Sequence, residues 1–292
     1  MWFAEKPSVF ISTPSTFSEY REQRAIDRET YGQYKRMCEF YERGGEVAGD
    51  FKDRLFFEQE PYRHIQCSNI ENLHSQVDYL ISCHITYPLT GRWPPSLYLK
   101  KSLNLPDASA FSLTGRGGIS PLLAMEIAYF SGKNALVVCM EQIYDRRESL
   151  RDDGLMKADA VSAFTFTFDR GEYRILACEQ RRIRKSSNVK DDVQLIGNTA
   201  RSIIDCFAQE QNVRQEDVLV LLPTFKHTYF PLLKPFFIHS WGREDSRYLG
   251  TADPFYTLIG VSGDKSLLRP YLVLIFVDAG HSLGVLFIKN KG

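Results

Sequence analysis

The chain has 292 residues, 43% hydrophobic and 25% charged, with a formal net charge of zero. That is ordinary globular composition for one or two domains with a sizeable core, and the neutral balance argues against a general nucleic-acid binder. No run approaches the ~18 apolar residues of a membrane span, and the N-terminal M-W-F-A-E-K-P lacks the apolar core of a signal peptide. The six cysteines (Cys38, Cys67, Cys83, Cys139, Cys178 and Cys206) are scattered, without a CxxC pair, most of them in apolar runs. Such thiols fit a reducing compartment, so a soluble cytoplasmic protein is expected.

In chain order, Ser18 to Arg54 is polar and helix-like, with Tyr31, Tyr34, Cys38 and Tyr41 on one face, until Gly44-Gly45 breaks it. Val77 to Ile85 is a buried strand, Thr86 to Pro95 a proline-rich loop, and Ser96 to Leu103 a short helix. A short strand, Ala110 to Leu113, leads through the glycine-rich T-G-R-G-G-I-S-P to a helix over Ile119 to Phe130. Pro121 is tolerated in its first turn because that position has no helical hydrogen bond to lose. Ala135 to Met140 is a wholly apolar strand; Ala158 to Phe168 and Tyr173 to Cys178 read as two more. Gln194 to Gln211 is a long amphipathic helix, and Val218 to Leu222 a buried strand stopped by Pro223. Tyr229 to His239 is a helix or loop broken by Pro231 and Pro235. Tyr271 to Val277, a tight turn at Asp278 to His281, and Leu283 to Ile288 close the chain as a hairpin.

Apolar strands without alternation are covered on both faces by helices, which places them in the middle of an α/β sheet. N-I-E-N-L-H-S-Q-V-D-Y-L-I-S-C-H parallels V-R-Q-E-D-V-L-V-L-L-P-T-F-K-H, and S-G-K-N-A-L-V-V-C-M-E parallels L-L-R-P-Y-L-V-L-I-F-V-D. A faint mid-length repeat of this kind suggests two similar α/β halves, divided here as 1–170 and 171–292.

The ordered set I-S-C-H-I-T-Y-P (81–88), A-F-S-L-T-G-R-G-G-I-S-P-L-L-A-M-E-I-A (110–128), S-G-K-N-A-L-V-V-C-M-E (131–141), K-A-D-A-V-S-A-F-T-F (157–166), L-V-L-L-P-T-F (219–225) and V-D-A-G-H-S-L-G-V-L-F (277–287) resembles the thiolase-fold condensing enzymes. In particular it resembles the type III ketoacyl-acyl carrier protein synthases. The resemblance covers Val77 to Lys289 in patches and implies a thiolase-like fold of five layers, α-β-α-β-α. It also implies three reactive side chains. A cysteine at a helix N-terminus attacks an acyl thioester, and a histidine and an asparagine stabilise the oxyanion of the condensation.

None of the three stands at its place. The cysteine position falls on Gly117 or Gly118, the histidine position on Thr224 and the asparagine position on Thr251. The resemblance therefore implies a degenerate, non-catalytic subunit, with no catalytic residue expected. Its partner would be an active thiolase-fold ketosynthase, in a heterodimer or heterotetramer that serves secondary-metabolite, polyketide or fatty-acid biosynthesis. Acyl carrier protein or acyl-CoA would be a further partner; nucleic acid and membrane would not.

The alternative is an active acyltransferase or hydrolase on acyl-CoA or acyl carrier protein, using a non-standard nucleophile. Ser120 is the weak candidate for that nucleophile and His227 for an acid/base group. Arg116 and Trp93 are candidate substrate-binding residues, Arg116 because a cation beside an empty elbow could hold a carboxylate or phosphate. Cys83-His84 would be nucleophile and base, except that strand neighbours point to opposite faces. Cys139 reads as core, and His281 sits on the closing turn. The basic run Arg181 to Lys185 reads as a solvated strand end, or else a dock for an acidic partner. No metal-ligand spacing is present, G-R-G-G lacks the spacing of a phosphate-binding loop, and no cofactor is implied.

Overall fold

The computed structural model describes residues 8–19, 24–25, 55–56, 77–84, 94–114, 117–141, 159–183, 189–223, 232–234, 236–240, 249–264, 266–267, 269–277 and 282–291. The first half carries β1 (Val9–Ile11), β2 (Ser15–Glu19), β3 (Arg24–Ala25), β4 (Leu55–Phe56), β5 (Tyr79–Cys83), α1 (Pro95–Ser102), β6 (Ser109–Leu113), α2 (Ser120–Ser131), β7 (Ala135–Glu141) and β8 (Asp159–Thr167). The second carries β9 (Tyr173–Arg182), α3 (Val189–Glu210), β10 (Val218–Leu222), β11 (Phe237–Ser240), α4 (Asp253–Ser262), β12 (Tyr271–Val277) and β13 (Ser282–Asn290).

The principal hydrogen-bonded path runs β11-β10-β12-β13-β9-β1-β8-β7-β5-β6, with β2 also on β8; β3 and β4 pair separately. Its two wings repeat one plan. In the first, β5 is parallel to β6 and β7, and β7 is antiparallel to β8. In the second, β10 is parallel to β11 and β12, and β12 is antiparallel to β13. Parallel neighbours need a crossover: α1 lies on the way to β6, α2 to β7 and α4 to β12, while the connection from β10 to β11 lies mostly outside the described residues. The three-residue β1 joins the wings, antiparallel to β8 on one side and β9 on the other. The Ser12–Pro14 step separates β1 from β2; there Ser12 Oγ accepts from the Thr165 amide at 3.0 Å. Pro14 lacks an N–H and suits that interruption.

Three apolar clusters define the layers. The outer face of the first wing (Leu80, Leu136, Val138, Met140) packs under α1 through Leu99 and Leu103. The outer face of the second (Val218, Val220, Leu222, Val273, Ile275) packs under α3 through Ile196, Ala200, Ile203, Ile204 and Phe207. The inner faces of both wings share one central core with α2 and α4. The order is therefore α-β-α-β-α, as the resemblance implied.

The helices differ as their layers require. The amphipathic α3 has one apolar stripe, as a helix covering one sheet face should. The middle helices α2 (S-P-L-L-A-M-E-I-A-Y-F-S) and α4 (D-P-F-Y-T-L-I-G-V-S) are apolar nearly all round, because a sheet lies on each side. Phe255 of α4 packs at a tilt against Phe164 of β8, with ring centroids 4.4 Å apart, and lies 5.7 Å from Phe276 of β12, so one side chain touches both wings. Leu122 of α2 packs on Gly284 of β13, where a Cβ would come within 2.2 Å of Leu122 Cδ1. Gly132, left-handed at φ +62°, ends α2, with the Lys133 amide bonded back to the Ala128 carbonyl.

Three expectations need correction. Ser18 and Glu19 belong to β2 and Arg24 and Ala25 to β3, so no helix begins at Ser18; the remainder of that segment lies outside the described residues. The ladder of β2 comes from β8, a partner more than a hundred residues away that local periodicity does not reveal. Phe237 to Ser240 is neither helix nor loop but a strand, because β10 supplies a parallel ladder. The strand from Tyr173 runs on to Arg182, since β13 pairs with it through Ser282↔Arg182. Arg181 and Arg182 thus form an exposed strand end, and Arg181 pairs with Glu179 at 2.6 Å.

Filling Gly284 should destabilise the protein through Leu122. Gly284→Ala is expected to cost about 1–3 kcal/mol by overpacking. Urea denaturation of Gly284→Ala in the wild-type and Leu122→Ala backgrounds checks this: the cost should fall by at least about half once Leu122 is truncated.

Candidate functional site

The chain enters each middle helix through the same kind of turn. After β6, Gly117 adopts φ +52° and Gly117–Ile119 form a 3₁₀ turn into α2. Gly250 adopts φ +57° and Gly250–Ala252 form a 3₁₀ turn into α4. A positive φ is strained for residues with a Cβ, which accounts for glycine at both places. The sequences G-G-I-S-P (117–121) and G-T-A-D-P (250–254) match position for position, down to the proline in the first helical turn. The two turns touch in the middle layer, and the N-terminal ends of both central helices meet there.

Between them lies Glu141, the last residue of β7 and 6% exposed. Its Oε1 accepts from the Thr251 amide at 3.1 Å and lies 3.0 Å from Thr251 Oγ1. Thr251 Oγ1 also lies 3.2 Å from the Cys83 carbonyl oxygen, so its single proton is shared between two acceptors. Gly250 makes room for this carboxylate: a Cβ there would stand 2.2 Å from Glu141 Cγ. A buried carboxylate is tolerated when donors and a helix N-terminus stabilise its charge, and Thr251 at the head of α4 supplies both.

The other hydroxyls near the turns are also engaged. Ser120 is fully buried and donates to the Gly117 carbonyl at 2.9 Å. Thr257 Oγ1 lies 3.3 Å from the Leu222 carbonyl, tying α4 to the end of β10. Cys83 and Cys139 are aligned neighbours on β5 and β7, both fully buried. Burial first, then the Cys83 thiol beside it and the Glu141 charge, push the Cys139 thiol well above its ordinary pKa. It is a protonated, poorly nucleophilic thiol. Ser162, in register with Cys139 on β8, has a buried hydroxyl with no hydrogen-bond partner among the described residues.

Of the residues singled out in the sequence, the structure brings Gly117, Gly118, Ser120 and Thr251 together around the facing turns. Cys83 and Cys139 lie in the central core beside them. Trp93, Arg116, Thr224, His227 and His281 lie outside the described residues. Glu141 was not singled out, although a lone carboxylate ending an otherwise apolar strand is a legible signal. Among the described residues no group of His, Cys, Asp and Glu is placed to hold a metal ion. Nor is any helix there long and apolar enough to cross a membrane.

No protein-family profile and no curated protein sequence matches the chain. Its likeness is to solved structures. The acyltransferase ChlB3 is 16% identical over 97% of this chain and 98% of its own, with a TM-score of 0.68. OleA of Xanthomonas campestris, in a structure with lauric acid and lauroyl-CoA, is 12% identical over 97% and 99%, at 0.65. The 3-oxoacyl-[acyl-carrier-protein] synthase III of Aquifex aeolicus is 13% identical over 97% and 98%, at 0.61. The chain thus has the α/β fold of the thiolase-type condensing enzymes. At these identities the fold is what is shared.

Two measurements test the turn chemistry. Gly250→Ala should cost more than the ~1–2 kcal/mol of a left-handed alanine, because its Cβ also meets Glu141; Thr251→Val should cost about 1.5–3 kcal/mol by removing a donor from a buried carboxylate. Denaturant titration reads both. Iodoacetamide at pH 8 with peptide mapping should label exposed Cys206 while Cys83, Cys139 and Cys178 stay protected in the native protein. The carboxylate of Glu210 raises the Cys206 pKa, chiefly through their hydrogen bond. Glu210→Gln should therefore lower that pKa and shift the alkylation profile of Cys206 to lower pH.

Proposed function

We propose that this chain is a non-catalytic, ketosynthase-III-like subunit that pairs with an active thiolase-fold ketosynthase in acyl condensation. The observation that carries the reading is the fate of the polar groups around the two glycine turns. Gly117 and Gly118 offer no side chain. The hydroxyl of Ser120 is turned onto its own turn, and that of Thr251 is turned onto Glu141 and Cys83. A nucleophile needs a base within reach and a path to its substrate, and Ser120 has its hydroxyl on a backbone carbonyl at zero exposure. The fold itself supports a setting of acyl condensation, and the partner's substrates would arrive on acyl carrier protein or acyl-CoA. Products of secondary-metabolite, polyketide or fatty-acid pathways are the corresponding output.

The surface supports pairing with another chain. The strand β6 ends the hydrogen-bonded path, and among the described residues nothing pairs with its outer edge. Its residues Ala110 to Leu113 are only half-buried. An open, partly apolar edge is a template for a second strand. On α2, Leu123, Ile127 and Phe130 share one face at helical spacing, and Phe130 is 70% exposed. A thiolase-fold partner offers the matching strand and helix.

The test is co-expression with cysteine-bearing ketosynthases of the same host, followed by native mass spectrometry and acylation assays. A 1:1 assembly in which only the partner carries an acyl adduct is expected. Phe130→Asp should weaken that assembly at least about tenfold while leaving the isolated chain folded, as expected for an exposed anchor in an interface. An acyl adduct on Ser120 of the isolated chain would instead identify an active acyltransferase.

A further inference from the structure

On the outer face of the second wing, remote from the glycine turns, a trough of about 580 Å³ runs between β9 and α3. Its strand wall is Glu179 and Arg181; its helix wall includes Asn198, Ser202, Cys206 and Glu210, four residues apart and so on one flank. This flank differs from the rest of the exposed helix, whose Arg201–Asp205 pair faces elsewhere. Arg181 is already neutralised by Glu179. Among the described residues Glu210 has no ion pair and accepts only from the Cys206 thiol, at 3.4 Å. Neither the Asn198 amide nor the Ser202 hydroxyl is engaged in a hydrogen bond, among the described residues. The trough thus presents a neutral donor–acceptor pair and, two helical turns further along, an uncompensated carboxylate.

The spacing fits an extended polypeptide. Four helical residues advance ~6 Å, close to the ~6.7 Å two-residue repeat of a strand, and Glu210 lies ~12 Å beyond Ser202. We propose that this trough binds a short extended segment of a partner protein, with its backbone on Asn198 and Ser202 and a lysine or arginine on Glu210. The remaining negative charge selects the cation, and the amide and hydroxyl, each donor and acceptor, suit a peptide backbone. This inference does not rest on the subunit reading, since none of its residues belongs to the central core.

The test is an NMR titration of the isotope-labelled full chain with acetyl-Gly-Gly-Lys-Gly-amide and its glutamine analogue. Saturable shifts confined to α3 and β9 are expected, with the lysine peptide at least about tenfold tighter, as for a charge-assisted contact. Glu210→Gln should remove that preference, and Asn198→Ala with Ser202→Ala should weaken both peptides. These residues are exposed, so circular dichroism should be unchanged in the variants. Equal binding of the two peptides, shifts centred elsewhere, an unaffected Glu210→Gln, or no saturation at about 10 mM peptide would overturn the proposal.

Discussion

A helix that is apolar on every side cannot rest on a single sheet. Both α2 and α4 are of this kind, and the architecture follows from covering them twice. The wings must close over the helices face to face, which turns two open sheets into a sandwich with a helical filling. Closure then limits space at each contact. Gly284 is flat because Leu122 must reach the sheet, and Phe255 is aromatic because it must span from β8 to β12. Among the described residues the hydrogen-bonded path between the wings passes through the three residues of β1, and both wings also share this central core.

The same closure produces the polar centre. Two helices lying side by side between sheets bring their N-terminal ends, and the partial positive charge there, to one place. A buried carboxylate placed at such a point is stabilised rather than orphaned. Glu141 takes that role from the end of β7 and ties the first wing to the turn that opens α4 in the second. The constraint is reciprocal: Gly250 must lack a Cβ to admit the carboxylate, and Thr251 must commit its amide and hydroxyl to hold it.

Much of this was legible in the sequence, and the parts that were not have physical causes. The inner strands β7, β10 and β12 are continuous apolar runs, and their bounds follow because burial on both faces leaves no ambiguity of period. The turn at Gly117 was legible as glycine-rich. Its echo at Gly250-Thr251-Ala252-Asp253-Pro254 was equally available but was not read as one, since only a single glycine marks it. Strands β2 and β11 were missed because their ladders come from β8 and β10, and their own residues show no strong alternation. The Glu141–Thr251 contact joins positions 110 residues apart, and no local pattern encodes it.

The glycine turn invites a catalytic reading that its geometry does not require. A positive φ at Gly117 is what the chain needs to leave β6 and enter a helix confined between two sheets, whether or not a reactive group follows. The match at Gly250 makes the point within one molecule, since the same turn recurs where it holds a structural carboxylate. The turn therefore counts as packing, and any claim to chemistry has to be carried by side chains. Among the described residues around the turns, those side chains are two absent ones, a serine bonded to its own turn, a threonine bonded to a buried carboxylate, and thiols sealed in the core. Among the described residues, β6 ends the hydrogen-bonded path with its outer edge unpaired, Phe130 stands exposed beside half-buried Leu123 and Ile127, and a trough lies beside α3; these are the features on which the proposed contacts with other chains rest.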